Sequence, residues 1–158
     1  MTKTMLLGAA LGLSLAGAQA GDWGNWRGPN YDGSTDAKDL PTKFSKTENV
    51  RWSVKMDGPS AATPVIWGDN VFVSSSNQEK ERLTANCYDR KTGALKWSHQ
   101  VAKGFRQDNR SNYASPSPVT DGQVVTFFYG GGELATFNMD GDKLWALNLQ
   151  KKHGEFAF

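Results

Sequence analysis

The sequence predicts an all-β chain: a partial β-propeller of four-stranded antiparallel blades, with two whole blades plus fragments. Three observations predict it. Tryptophans recur in three similar segments, at Trp52, Trp97 and Trp145, which lie 45 (97 − 52) and 48 (145 − 97) positions apart. A period of roughly 40 to 50 residues built from short strands marks a propeller blade. Other landmarks return in the same order, and each unit turns at a glycine, Gly93 or Gly141, four residues before its tryptophan.

The first landmark is Ala62-Thr63-Pro64-Val65-Ile66, echoed by Pro116-Ser117-Pro118-Val119-Thr120. The second is Gly68-Asp69-Asn70-Val71-Phe72-Val73, echoed by Asp121-Gly122-Gln123-Val124-Val125-Thr126-Phe127. A third, Leu83-Thr84-Ala85-Asn86-Cys87-Tyr88-Asp89, returns more loosely as Leu134-Ala135-Thr136-Phe137-Asn138. Gly-Asp, Asp-Gly and Thr-Gly turns separate these β-rich runs, because glycine, aspartate and asparagine accept positive φ cheaply. Strands are expected over 63–66, 70–74, 83–89 and 94–101 in the first blade. In the second they fall over 117–120, 124–129, 133–138 and 143–149. Residues 50–56 match only the last strand of a blade, one that would complete a final blade and close the ring. A third blade begins near Phe156. Two blades leave both outer faces bare, so the sequence reads as the N-terminal part of a longer protein that is poorly stable or self-associating alone.

Gln78-Glu79-Lys80-Glu81-Arg82 alternates in sign, the pattern of a solvated hairpin tip rather than a one-signed binding patch. Residues 1–20 read as a signal peptide, with Lys3 at the start, a short apolar run over 5–15 and Ala18-Gln19-Ala20 before Gly21. Residues 21–49 form an N-terminal extended segment, and residues 50–158 the incomplete blades. The signal implies a periplasmic or secreted protein with no membrane span after cleavage. Formal net charge is +2 at pH 7. Such balance argues against a nucleic-acid partner. Cys87 is the single cysteine, so no internal disulfide can form; it occupies the strand position that Thr136 fills in the next repeat and reads as a small packed side chain.

The Ser117-Pro118-Val119 strand, the Gly68-to-Val73 strand, the Asp89-Arg90-Lys91-Thr92-Gly93 turn and the closing Leu95-Lys96-Trp97 resemble the PQQ-like repeat family of β-propellers. Trp23-Gly24-Asn25-Trp26-Arg27-Gly28-Pro29-Asn30, with Asp32-Gly33 and Leu40-Pro41, is similar to the leader of its secreted bacterial members. The second blade departs from the pattern, with Asn138-Met139-Asp140-Gly141 as a shorter turn and Leu144 directly beside Trp145. The resemblance implies an eight-bladed ring. It does not imply the quinone, since many similar propellers are scaffolds. Relatives that serve outer-membrane assembly as lipoproteins carry a cysteine after the signal, and quinoprotein alcohol dehydrogenases carry an adjacent cysteine pair. This sequence has neither.

No catalytic residue is expected. His99 lies on a closing strand and His153 in a linker; neither has a partner at metal spacing, and both read as exposed or hydrogen-bonded. A calcium loop beginning at Asn138 would place Lys143 and Leu149 where glycine and glutamate are needed, so a tight turn explains those residues. Gly130-Gly131-Gly132 reads as a hairpin connection, not a phosphate cradle. The candidate ligand-facing loop carries Arg106, Arg110, Asn112 and Tyr113, offering charge, amide and an aromatic face at one mouth of the ring; the alternative reading of the same residues is a solvated connection. Trp23 and Trp26 are expected to pin the N-terminal segment against the propeller. The functional expectation is a non-catalytic secreted repeat protein that binds a protein or carbohydrate partner without a cofactor. The alternative is the N-terminal part of a PQQ-dependent dehydrogenase.

Overall fold

The computed structural model describes residues 21–38, 40–107, 109 and 111–156. The signal-peptide reading and Arg110 lie outside the described residues.

Among the described residues, eight strands form two sheets of four, in sequence order and wholly antiparallel. The first blade comprises β1 (Val65–Trp67), β2 (Asn70–Asn77), β3 (Arg82–Asp89) and β4 (Leu95–Lys103). The second comprises β5 (Val119–Thr120), β6 (Val124–Phe128), β7 (Glu133–Asn138) and β8 (Lys143–Asn148). Both inner strands begin one residue after a proline, Pro64 or Pro118, because proline fixes its own φ and has no N–H for the ladder. That shortens them relative to the sequence expectation, while β2 runs three residues further. The repeat extends to its irregularities: the ladder slips between Cys87 and Tyr88 in one blade and between Thr136 and Phe137 in the other. Cys87 faces Trp97 as Thr136 faces Trp145. Cys87 is fully buried, and desolvation pushes its thiol up to about 12.

Alternation along each strand builds the seam between blades. Phe72, Ala85, Cys87 and Trp97 from the first sheet meet Val125, Phe127, Ala135 and Phe137 from the second in one buried cluster. Trp97 stands at its centre, with ring centroids 5.8 Å from Phe72, 5.5 Å from Phe137 and 6.2 Å from Phe127. Its indole N–H donates to the Met139 carbonyl at 3.2 Å, and its ring lies flat on Gly141. His99 sits in the same seam, stacked on Phe137 at 5.1 Å with planes 10° apart. It is therefore a half-buried packing residue, not an exposed one.

The opposite face of the first blade shows how the repeat works where a sheet is lacking. Residues 50–56 pair with no strand among the described residues, contrary to their expected role as the last strand of a blade. They nevertheless deliver the side chain that such a strand would deliver. Trp52 covers Val71, Val73 and Tyr88 with Met56, lies on Gly93, and donates from its indole to the Arg90 carbonyl at 2.9 Å. The indole–glycine contact thus persists without the ladder. On the far face of the second blade the equivalent indole, Trp145, is 45% exposed, beside the exposed Leu144 and Leu147.

The charged tip between β2 and β3 is solvated as expected, but it is also clamped. Asp57 accepts from Lys80 Nζ at 2.7 Å and Arg82 Nε at 2.6 Å. Those contacts hold the Asp57 carboxyl below its ordinary value of 3.8. A depressed folded pKa gives stability that is complete above the ordinary value and lost as pH falls through the lower folded one. Asp57→Asn is expected to cost about 1 kcal/mol or less at pH 6, since every partner is partly exposed. The gap in urea midpoint between variant and parent should narrow as pH falls below 3.8; a gap that stays constant with falling pH would show that charge is not what holds the tip.

The chain after β8 corrects a second expectation. Residues placed in a linker, with His153, instead form a short helix, α1 (Leu149–His153). Asn148 caps it by accepting from the Lys151 N–H at 2.8 Å.

Candidate functional site: the loop between the blades

The 104–118 connection links β4 to β5 on the same end of the sheets as the two central hairpins. Its shape is set by backbone bonds at both ends. Gly104 N–H donates to the Glu81 carbonyl at 2.8 Å, fixing the start of the loop to the first hairpin. Gly130 N–H donates to the Tyr113 carbonyl at 2.9 Å, fixing its far limb to the second. Between them the loop folds on itself, with Gln107 bridging Asn112 and the Tyr113 N–H donating to the Arg106 carbonyl at 3.1 Å.

Side chains complete the turn that follows. Asn112 Oδ1 accepts from the Ala114 N–H at 2.8 Å, and Ser115 Oγ accepts from the Asn112 N–H at 2.9 Å. Ala114 is fully buried, and its carbonyl accepts from Ser74 Oγ at 3.1 Å and Ser60 Oγ at 3.3 Å. The glycine run earns its place once here. A Cβ on Gly130 would lie 3.0 Å from the Tyr113 ring, so glycine lets the hairpin approach the loop.

The result is a cleft of about 250 Å³ bordered by Arg106, Asn112, Tyr113, Pro116, Phe128 and Gly130. Three of the four residues singled out in the loop, Arg106, Asn112 and Tyr113, share it; Arg110 is not among the described residues. Phe128 and Gly130 were not legible as site residues, because a strand-end phenylalanine and a hairpin glycine look like ordinary structure.

At the opposite end of the sheets the N-terminal segment takes up the inner strand edges. Trp23 exchanges two backbone hydrogen bonds of 2.8 Å with Ile66 of β1, and the Gly24 carbonyl accepts from the Thr120 N–H of β5 at 2.8 Å. Asp22 Oδ1 adds a bond from the Gly68 N–H at 2.7 Å. Trp23 thus pins the segment as expected. Trp26 does not: it is 65% exposed, with the Arg27 guanidinium 5.5 Å from its ring centre.

The remaining polar chemistry is sparse. Among the described residues no group of three or more His, Cys, Asp or Glu side chains is placed to hold a metal ion. His99 lies in the seam and His153 on α1, so the two imidazoles serve different elements. Asn138 folds its own turn by accepting from the Asp140 and Asp142 N–H groups at 3.1 and 2.8 Å. Tyr129 is buried beside Glu133, and desolvation, aided by that carboxylate, raises its phenol pKa.

The family model described as outer membrane protein assembly factor BamB matches residues 34–157. The chain belongs to this family of PQQ-like repeat β-propellers. Among solved structures, BamB from Moraxella catarrhalis is similar at 22% identity and a TM-score of 0.42, over 58% of this chain and 24% of that one. The chain therefore spans about a quarter of the length of that BamB. No curated protein matches it. Among the described residues no helix is long and apolar enough to cross a membrane.

Proposed function

We propose that the chain is the blade-bearing part of a non-catalytic, periplasmic scaffold that holds a protein partner at the loop end of its sheets. The partner class suggested by the BamB family description is the machinery that assembles outer-membrane proteins. One observation carries the reading. The 104–118 loop is tied to both blades by backbone bonds and opens a cleft with a cation, an amide and two aromatic rings at its border. A binding surface of this kind needs a rigid frame, because ordering a loose loop on contact costs affinity. Stacked repeats supply such a frame and present loops from successive units side by side. The reading carries no quinone.

A photo-crosslinking amino acid in place of exposed Asn109 tests it in cells. The same probe at exposed Asp140, on the opposite end, is the control. The expected result is one discrete adduct with an envelope protein from residue 109 and none from residue 140. No adduct from residue 109, or dye-linked alcohol oxidation by the protein after addition of quinone and calcium, would overturn the proposal.

A further inference from the structure

We infer that the cleft beside Tyr113 receives a single aromatic side chain of the partner, with an adjacent Asp or Glu carboxylate meeting Arg106. This inference rests on the scaffold reading and adds the chemistry of what is held.

The size of the cleft selects the class of guest. Small-molecule and cofactor sites run from roughly 300 to 1,000 Å³, whereas this one is about 250 Å³. That is room for one large side chain, the way an interface hot spot anchors its partner. Its border selects the kind of side chain. Tyr113, Phe128 and Pro116 line it, with the Phe128 ring also meeting Phe156 edge-on at 6.2 Å, and against such a lining an aromatic ring gains both buried area and offset or edge contacts.

Charge selects the neighbour. Arg106 is exposed at the rim and pairs with no acidic side chain among the described residues. Its planar guanidinium suits a carboxylate, which it can meet with two parallel bonds. Asn112 is half-buried beside it, and its amide suits the partner's backbone. Because Gly130 and Arg106 already fix Tyr113 through the backbone, little ordering is left for the moment of binding.

Fluorescence anisotropy of labelled hexapeptides on the purified protein tests the assignment. One peptide carries adjacent Glu and Phe in a Gly/Ser background; a second replaces Phe with Ala; a third replaces Glu with Lys. Only the Glu-Phe peptide is expected to saturate at concentrations up to about 1 mM. Arg106→Glu should weaken it by about tenfold or more and shift preference to the Lys-Phe peptide. That swap distinguishes a charge contact from a folding defect. Arg27→Glu, a cation change at the opposite end, should alter nothing.

Three results would overturn the assignment: equal binding of the Ala peptide, indifference to Arg106→Glu, or a neutral oligosaccharide that saturates the cleft independently of Arg106. If the peptides fail but the residue-109 adduct persists in Arg106→Glu, the cleft assignment falls and the scaffold reading stands. If both fail, both fall.

Discussion

Trp97→Ala is expected to destabilise the protein by about 3–5 kcal/mol, the range for removing a large buried aromatic. The indole is 9% exposed, touches aromatic rings from both sheets and spends its N–H on Met139. Truncation leaves a hole in the seam and one carbonyl without its donor. Collapse around that hole is restricted, since its walls are strands already held by ladders on either side. Domains of ordinary size have only about 5–15 kcal/mol in total, so this single change can remove most of the margin. Trp145→Ala is the internal comparison. It alters the same repeat position on the second blade, where the ring is 45% exposed, and is expected to cost about 1 kcal/mol. Urea midpoints at constant slope measure both. If Trp97→Ala does not fold, Trp97→Phe keeps most of the ring area and loses the indole donor, for an expected 1–2 kcal/mol or so. Equal costs at positions 97 and 145 would show that the seam does not centre on Trp97.

The contrast between those indoles also shows what the sequence could reveal. Strand positions were legible because short β-rich runs and the glycine turns between them are local facts, written within a few residues of each other. The glycine four residues before each tryptophan was legible as a repeat. Its meaning was not, because the indole that covers Gly141 comes from the preceding blade, and Trp52 likewise reaches Gly93. Only a stack reveals that partnership. Residues 50–56 show the limit from the other side: a sequence can resemble a strand and contribute that strand's packing while no neighbour pairs with it.

The candidate site was half legible for a similar reason. Arg106, Asn112 and Tyr113 were conspicuous as a polar and aromatic cluster in a connection, whereas Gly130 enters through its hydrogen bond to Tyr113 and Phe128 through the lining of the cleft. Trp67 was overlooked altogether. It packs over both Gly24 and Gly122, but it has no counterpart at the equivalent place in the second blade, so no periodicity marks it. The helix α1 was missed because five residues carry too little pattern; the Asn148 cap was its one local signal.

Gly141→Ala should be the second most costly change, and pairing it with Trp97→Ala separates its two causes. Gly141 has φ +97°, and a Cβ there would lie 2.7 Å from Trp97 Cγ. The backbone cost of placing a side chain in the left-handed region is of order 1–2 kcal/mol and does not depend on the neighbour. The steric cost does depend on it: the methyl would push the indole out of its stack and lengthen the bond to Met139. We expect Gly141→Ala alone to cost about 3 kcal/mol, combining strain with overpacking. In the Trp97→Ala background the steric part has nothing to act on, so the same substitution should cost only about 1 kcal/mol. The cycle would then give a coupling of about 2 kcal/mol, within the range for residues in direct contact. Additive costs would mean that Gly141 is required by its backbone geometry alone and that the indole has room to move. Gly93→Ala with Trp52→Ala repeats the experiment without a strand behind the indole. A similar coupling there would locate the lock between blades in the indole–glycine pair itself, and its loss would assign that lock to the ladder that holds Trp97.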